Sequence, residues 1–214
     1  MANYHPADEL LMQFAAGQLT NALGIQTACH LEQCQQCRQK IATYEQLGGE
    51  LLDFSQPVGL SDGLKDKLLA KIRSPEEKTA SIEELNYDPR IPRPLQRFVP
   101  QYYEHLPWSG LSKNIQSYDL PFSDDRFTAR FYKISAGKEL PQHTHKGNEY
   151  TLVLSGSFSD LAGDYHPGDF VLADTSTHHQ PRAHDKEDCI CFAVMDAPLK
   201  LTGLFGRLLN PFIR

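Results

Sequence analysis

His30, Cys34 and Cys37 stand in the chain as His-x3-Cys-x2-Cys, a spacing that brings three donors onto one face of a helix or across its first turn. Imidazole and thiolate together suit zinc, which accepts both and imposes no geometry of its own. A tetrahedron needs a fourth donor. His5, just ahead of Pro6 where a helix can begin, is the only other histidine before residue 90. A closed set of four protein donors leaves no place for substrate water, so its work would be structural. In so small a unit the ion would also supply folding free energy, on the order of 10 kcal/mol in zinc-finger peptides. Cys29 lies off the 30, 34, 37 face and reads as packing.

A second constellation follows a hundred positions later, Gly137-x5-His143-x-His145-x3-Glu149-x6-Gly156. Residues two apart on a strand share a side, so His143 and His145 point together, and Glu149 lies an even number of positions further on. Downstream, Pro167-Gly168-Asp169 signals a turn ahead of a strand, and the tandem His178-His179 comes ten positions after it. One of that pair completes a set of three imidazoles and one carboxylate; alternation alone leaves His178 and His179 both open. Such a set suits zinc, or iron or manganese with open positions for dioxygen chemistry. No further acid or base near it identifies a reaction. Cys189 and Cys191, two apart, share one side of a strand, as packed residues or as a redox-sensing thiol pair. His105, His166 and His184 sit in loop-like contexts and read as surface residues.

The elements that must position these donors change character near residue 90. Before it, apolar residues recur at helical spacing: Leu10, Leu11, Phe14 and Ala15, then Ile41, Tyr44, Leu47 and Leu51, then Leu60, Leu64, Leu68 and Ile72. After it, Arg126–Ile134, Tyr150–Leu154, Phe170–Ala173 and Cys189–Val194 are short, aromatic and β-branched, with Gly, Pro, Asp and Ser at their ends, as strands are. Between them Pro89, Pro92, Pro94 and Pro100 favour extended backbone. A helical domain over 1–85, a Pro-rich linker over 86–98 and a β domain over 99–214 are therefore expected. The stripe on the helix near 60–73 must bury against its own domain or in a partner's groove. The apolar tail over 201–214 is expected to pack, on its own β domain or across a dimer.

Composition excludes several classes. With 214 residues, 40% hydrophobic and 22% charged, the chain is neither disordered nor collagen-like. Its longest apolar run, Cys189 to Met195, has seven residues, far from the roughly 18 that cross a bilayer. The first nine residues carry Asp8 and Glu9 and no basic or apolar leader, so the cytoplasm is the expected compartment, and its cysteines are expected to be thiols or ligands. A net charge of -6 argues against holding nucleic acid by its phosphates. Residues 1–55 hold six acids against Arg38 and Lys40, which suits a basic partner or only a solvated face.

On these residues two resemblances rest. A leading histidine followed by His-x3-Cys-x2-Cys, here His5, His30, Cys34 and Cys37, resembles the zinc-binding anti-sigma domain, a four-helix unit that clasps an extracytoplasmic-function (group IV) sigma factor. The stretch 60–73 matches its fourth helix. The spacing around His143, His145 and Glu149 resembles the first cupin motif, and the later Pro-Gly with a histidine resembles the second. Cupins carry their last histidine ligand two positions before a proline, which by resemblance selects His179 in His179-Gln180-Pro181. The fold implied is two-domain: an N-terminal all-α zinc-binding helical bundle and a C-terminal all-β cupin, a double-stranded β-helix barrel. The chain as a whole is similar to ChrR-type anti-sigma factors. That resemblance implies inhibition of a group IV sigma factor by the first domain and its release on singlet oxygen or organic hydroperoxide through the second. It also implies one zinc in each domain, the second replaceable by another divalent metal, with no catalytic residues, no direct nucleic-acid contact, no membrane and a possible homodimer when the sigma factor is absent. The competing class is an enzyme, a metal-dependent cupin dioxygenase or isomerase with an accessory zinc domain. A third is a small-molecule sensor without a sigma partner.

Overall fold

The computed structural model describes residues 2–73, 87–122 and 126–202. Helix α1 (Asp8–Ala15) starts with Asp8 and Glu9 in its first turn, where carboxylates oppose the positive end of the helix dipole, and it buries Leu10 and Leu11. Helix α2 (Asn21–Gln33) buries Ala22, Leu23, Gln26, Thr27, Cys29 and His30. Cys34 then breaks the helix with extended backbone, φ −113° and ψ 103°, and α3 (Gln35–Asp53) starts at the next residue. The Cys34 sulfur accepts the Cys37 amide at 3.4 Å, so a thiol caps α3 where Ser or Asp would ordinarily serve. Around this junction Leu11, Cys34, Cys37 and Ile41 form a small core of their own, with Phe14, Leu31 and Tyr44 against it.

Helix α4 (Leu64–Arg73) buries no residue. Leu60, Leu68 and Ile72 of the expected stripe are exposed, as are Leu47, Leu51, Leu52 and Phe54 at the end of α3. Of that stripe Leu64 alone is half-buried.

The β half runs through β1 (Ser109–Ser112), β2 (Ile115–Asp119), β3 (Thr128–Ile134), β4 (His143–His145), β5 (Glu149–Ser155), β6 (Phe158–Ser159), β7 (Asp164–Tyr165), β8 (Phe170–Ala173), β9 (His178–His179), β10 (Arg182–Ala183), β11 (Cys189–Met195) and β12 (Leu199–Leu201). Among the described residues every pairing is antiparallel. Instead of one closed ring the strands make three sheets, β1-β2-β3-β11-β5-β8, β10-β6-β7 and β12-β4-β9. The arches between sheets need tight corners. Gly137 and Gly156 of the first motif take φ of +69° and +67°, and a side chain at Gly156 would collide with the Asp188 carbonyl oxygen.

Strand β11 explains why the longest apolar run of the chain lies here. Its odd residues Cys189 and Cys191 join Ile134, Val153, Phe158 and Tyr165 in a core between the sheets. Its even residues Ile190, Phe192 and Val194 join a larger core on the opposite face. A strand covered on both faces reads as continuous hydrophobicity, not as alternation.

That larger core crosses from one half of the chain to the other. It combines Leu10, Ala22, Leu23 and Cys29 of the helices with Phe131, Leu152, Leu154 and Phe170 of the sheet. The segment expected as a linker contributes Ile91 and Leu95 to it, Val99 follows just beyond, and Arg93 donates its amide to Glu32 Oε2 at 3.0 Å. The prolines do impose extended and 3-10 backbone, but the apolar residues between them recur every four positions and are buried, so the segment is packed onto α2. The tail from 203 to 214 lies outside the described residues. Among the described residues no helix is long and apolar enough to cross a membrane.

Candidate metal centres

The break at Cys34 is what assembles the first cluster. His30 lies in the last turn of α2, Cys34 occupies the junction, Cys37 lies in the first turn of α3, and His5 approaches on the segment ahead of α1. One donor atom from each falls within 4.8 Å of all the others. His30 Nε2 is 3.3 Å from Cys37 Sγ, and His5 Nδ1 is 3.3 Å from Cys34 Sγ and 3.5 Å from Cys37 Sγ. Zinc bonds of about 2.0–2.1 Å to nitrogen and 2.3 Å to sulfur at a tetrahedral angle separate such atoms by about 3.6 Å, so the donors already stand at the spacing an ion requires. Burial pushes the His30 imidazole down and the Cys37 thiol up to about 12, with Cys34 adding to the latter. Neutral imidazole is the ligating form, and a thiolate in this pocket calls for a cation. His30 donates Nδ1–H to the Gly168 carbonyl at 2.7 Å, which leaves its Nε2 lone pair facing the sulfurs.

The second cluster sits where β4 and β9 pair. His143 lies opposite His179 in that register. Nε2 of His179 is 3.0 Å from Nε2 of His143 and 3.2 Å from Nε2 of His145, separations expected of nitrogens about 2.1 Å from a shared ion at roughly right angles. His178, the other candidate, is exposed and donates to the Ser176 carbonyl at 3.1 Å. Burial pushes His143 and His145 down to about 4, keeping both rings neutral.

Glu149 stands apart from the three histidines. Its Oε1 accepts from Thr151 at 2.9 Å, while its Oε2 lies 3.6 Å from His145 Nδ1, beyond hydrogen-bond reach. Both Glu149 Oε2 and His145 Nδ1 are buried without a partner, and burial raises the Glu149 carboxyl to about 7. A buried carboxylate oxygen left unpaired beside three converging imidazoles is the arrangement a bound cation would relieve. The cavity beside the cluster is small and walled by Tyr132, Ile134, Leu140, Val171 and Cys191. Cys189 and Cys191 are buried with their sulfurs 3.6 Å apart.

Sequence reasoning missed two groups. Asp160, in the turn between β6 and β7, accepts His179 Nδ1–H at 2.8 Å; in Ser-Asp-Leu-Ala-Gly it reads only as a turn residue. Asp169 is fully buried and its Oδ1 accepts the amides of Asn3 and Tyr4 at 2.6 and 3.1 Å. Its place in the Pro-Gly-Asp turn is visible in the sequence, its distant partners are not.

A helical unit carrying a cluster of two histidines and two cysteines, packed on one sheet of a β half whose β4–β9 pair carries a cluster of three histidines, defines a two-centred protein with a cupin-like β half. Residues 100–197 match the ChrR cupin-like domain family. Over 211 residues the chain is 35% identical to the anti-sigma-E factor ChrR of Cereibacter sphaeroides, spanning 99% of this chain and 98% of that one. It is also similar to a chain in the crystal structure of Rhodobacter sphaeroides SigE in complex with the anti-sigma ChrR, with a TM-score of 0.79 and 33% identity, covering 92% of this chain and all of that one. The chain belongs to the ChrR family of anti-sigma factors.

Proposed function

We propose that this chain binds and inhibits an extracytoplasmic-function (group IV) sigma factor in the cytoplasm, and that its cupin-like half serves release of that factor on an oxidative signal, singlet oxygen or an organic hydroperoxide. The observation that carries the reading is the likeness to an anti-sigma factor over the full length of both chains. The uncovered apolar residues of α3 and α4, Leu47, Leu51, Leu52, Leu68 and Ile72, support it by offering a docking face on the helical half. The same likeness favours a regulator over a cupin dioxygenase or isomerase. His5, His30, Cys34 and Cys37 would hold zinc in the helical half; His143, His145 and His179, with Glu149 as the fourth donor once its carboxylate turns to them, would hold zinc or another divalent metal in the β half. A bound ion at the first cluster supplies a crosslink between the segment before α1 and the α2–α3 junction. The chain's own part is to keep the His30 imidazole neutral by burial and to hold α3 by the Cys34 cap.

The test is co-purification of a coexpressed group IV sigma factor with metal analysis of the same samples. The wild type is expected to carry about two metal equivalents and retain the sigma factor. Cys34→Ser with Cys37→Ser is expected to lose one equivalent, the folded helical half and the sigma factor. Leu51→Asp is expected to keep both metals and the fold while losing the partner. Retention of the sigma factor by Leu51→Asp and by the double variant alike would overturn the reading.

A further inference from the structure

Asp160 is tied to both clusters. Its side chain is 5% exposed, and each of its oxygens is committed. Oδ2 accepts a hydrogen bond from His179 Nδ1–H, which fixes the tautomer that turns Nε2 toward His143 and His145. Oδ1 accepts the amides of Ala162 at 2.8 Å and Gly163 at 3.2 Å and the Tyr165 hydroxyl at 3.3 Å. One carboxylate therefore sets both the ring of a second-cluster histidine and the shape of the loop from 160 to 165.

The far side of that loop holds the N-terminal segment. The Tyr4 and Tyr165 rings lie 4.7 Å apart at 55°. Tyr4 Oη reaches so close over Gly163 that a Cβ there would collide with it. The Tyr4 amide donates to Asp169 Oδ1, and its carbonyl accepts the Phe170 amide at 3.0 Å. The next residue is His5, a donor of the first cluster. His179, Asp160, Tyr165, Tyr4 and His5 thus form an unbroken run of contacts from one cluster to the other.

We propose that Asp160 is the positioning residue of the His143, His145 and His179 centre, and that the loop it shapes ties occupancy of that centre to the seating of the Tyr4–His5 segment. The inference rests on reading the second cluster as a metal centre. When an ion draws the His179 ring, the Asp160 carboxylate must follow the Nδ1 proton. Tyr165 and the Gly163 backbone follow Asp160, and Tyr4 rests on both. Coupling of this kind needs a continuous packed path and an observable at each end.

Both ends can be read in the full chain with zinc alone as the probe. Chelator competition on Asp160→Asn is expected to show a second-centre affinity about 10–100-fold weaker, the usual cost of removing an outer carboxylate from a ligating histidine, with the first equivalent unchanged. Amide exchange of Asn3, Tyr4 and Phe170 is expected to quicken in His143→Ala, where the second centre cannot fill, relative to the loaded wild type. In Tyr4→Ala, which leaves Asp160 and all the histidines in place, Phe170 exchange is expected to be indifferent to a second His143→Ala change. Wild-type affinity in Asp160→Asn overturns the positioning role, and equal exchange in His143→Ala and loaded wild type overturns the link. A wild type that takes up only one equivalent in excess zinc removes the metal-centre reading itself, and the inference with it.

Discussion

Gln26 is fully buried in the face that α2 turns to the sheet, where its Nε2 donates to the carbonyls of Tyr150 at 2.8 Å and Phe192 at 2.6 Å. It stitches a helix to two strands that lie more than a hundred residues away in sequence. Each such bond contributes about 1 kcal/mol net, so deleting the amide costs about 2 kcal/mol. Its Oε1 is buried with no partner, and removing that orphan returns about 1 kcal/mol. Gln26→Met, which keeps the volume, is therefore expected to destabilise by about 1 kcal/mol. Gln26→Ala adds a cavity, about 2 kcal/mol more for a side chain of this size, for a total of about 3 kcal/mol. At about 2–4 °C per kcal/mol for a chain of this length, the melting temperature should fall by about 2–4 °C for Met and 6–12 °C for Ala, measured by calorimetry on zinc-loaded protein. Because helices and sheet share a core, a single transition is expected in the wild type. Losses of equal size in the two variants, or no loss in either, would refute the ledger. Two separate transitions in the wild type would refute the shared core.

Other changes probe other parts of the molecule. Gly156→Ala forces a side chain into a positive φ against the Asp188 carbonyl and is expected to cost about 1–3 kcal/mol in urea unfolding. Asp88 is buried and held below the usual carboxylate range by hydrogen bonds from Arg90. A depressed folded value means stability present above the unfolded value and lost as pH falls through the folded one; Arg90→Met should raise the pH of acid unfolding, with circular dichroism as the readout. His143→Ala is expected to leave sigma-factor binding intact and blunt its release under organic hydroperoxide, scored by co-purification before and after treatment.

The sequence speaks clearly where periodicity or motif spacing is local. Phe170–Ala173 is a strand with those very bounds, and Cys189–Met195 extends the expected strand by one residue. β4 and β9 are too short for any period; only the spacing of their histidines marks them. α2 is hard to read because its buried face mixes Gln26, Thr27 and His30 with Ala22 and Leu23, so polarity does not separate its sides. The packing of Ile91, Leu95 and Val99 is masked by the prolines around them, which announce backbone shape and say nothing of burial. Asp160 and Asp169 act on residues 19 and more than 160 positions away. Contacts that distant leave no local pattern.

The two-faced burial of β11 bears on how the chain can be divided. A fragment cut ahead of Tyr87 keeps Ile91, Leu95 and Val99 but loses Leu10, Ala22, Leu23 and Cys29 from the same core, so the outer face of Ile190, Phe192 and Val194 would be partly bare. Such a fragment should be prone to self-association through that face, whereas the helical half cut at the same point would expose the other side of the seam along α2. Studying either half alone would then report on a molecule with a fresh sticky surface. Dissection is better done by point changes within the intact chain.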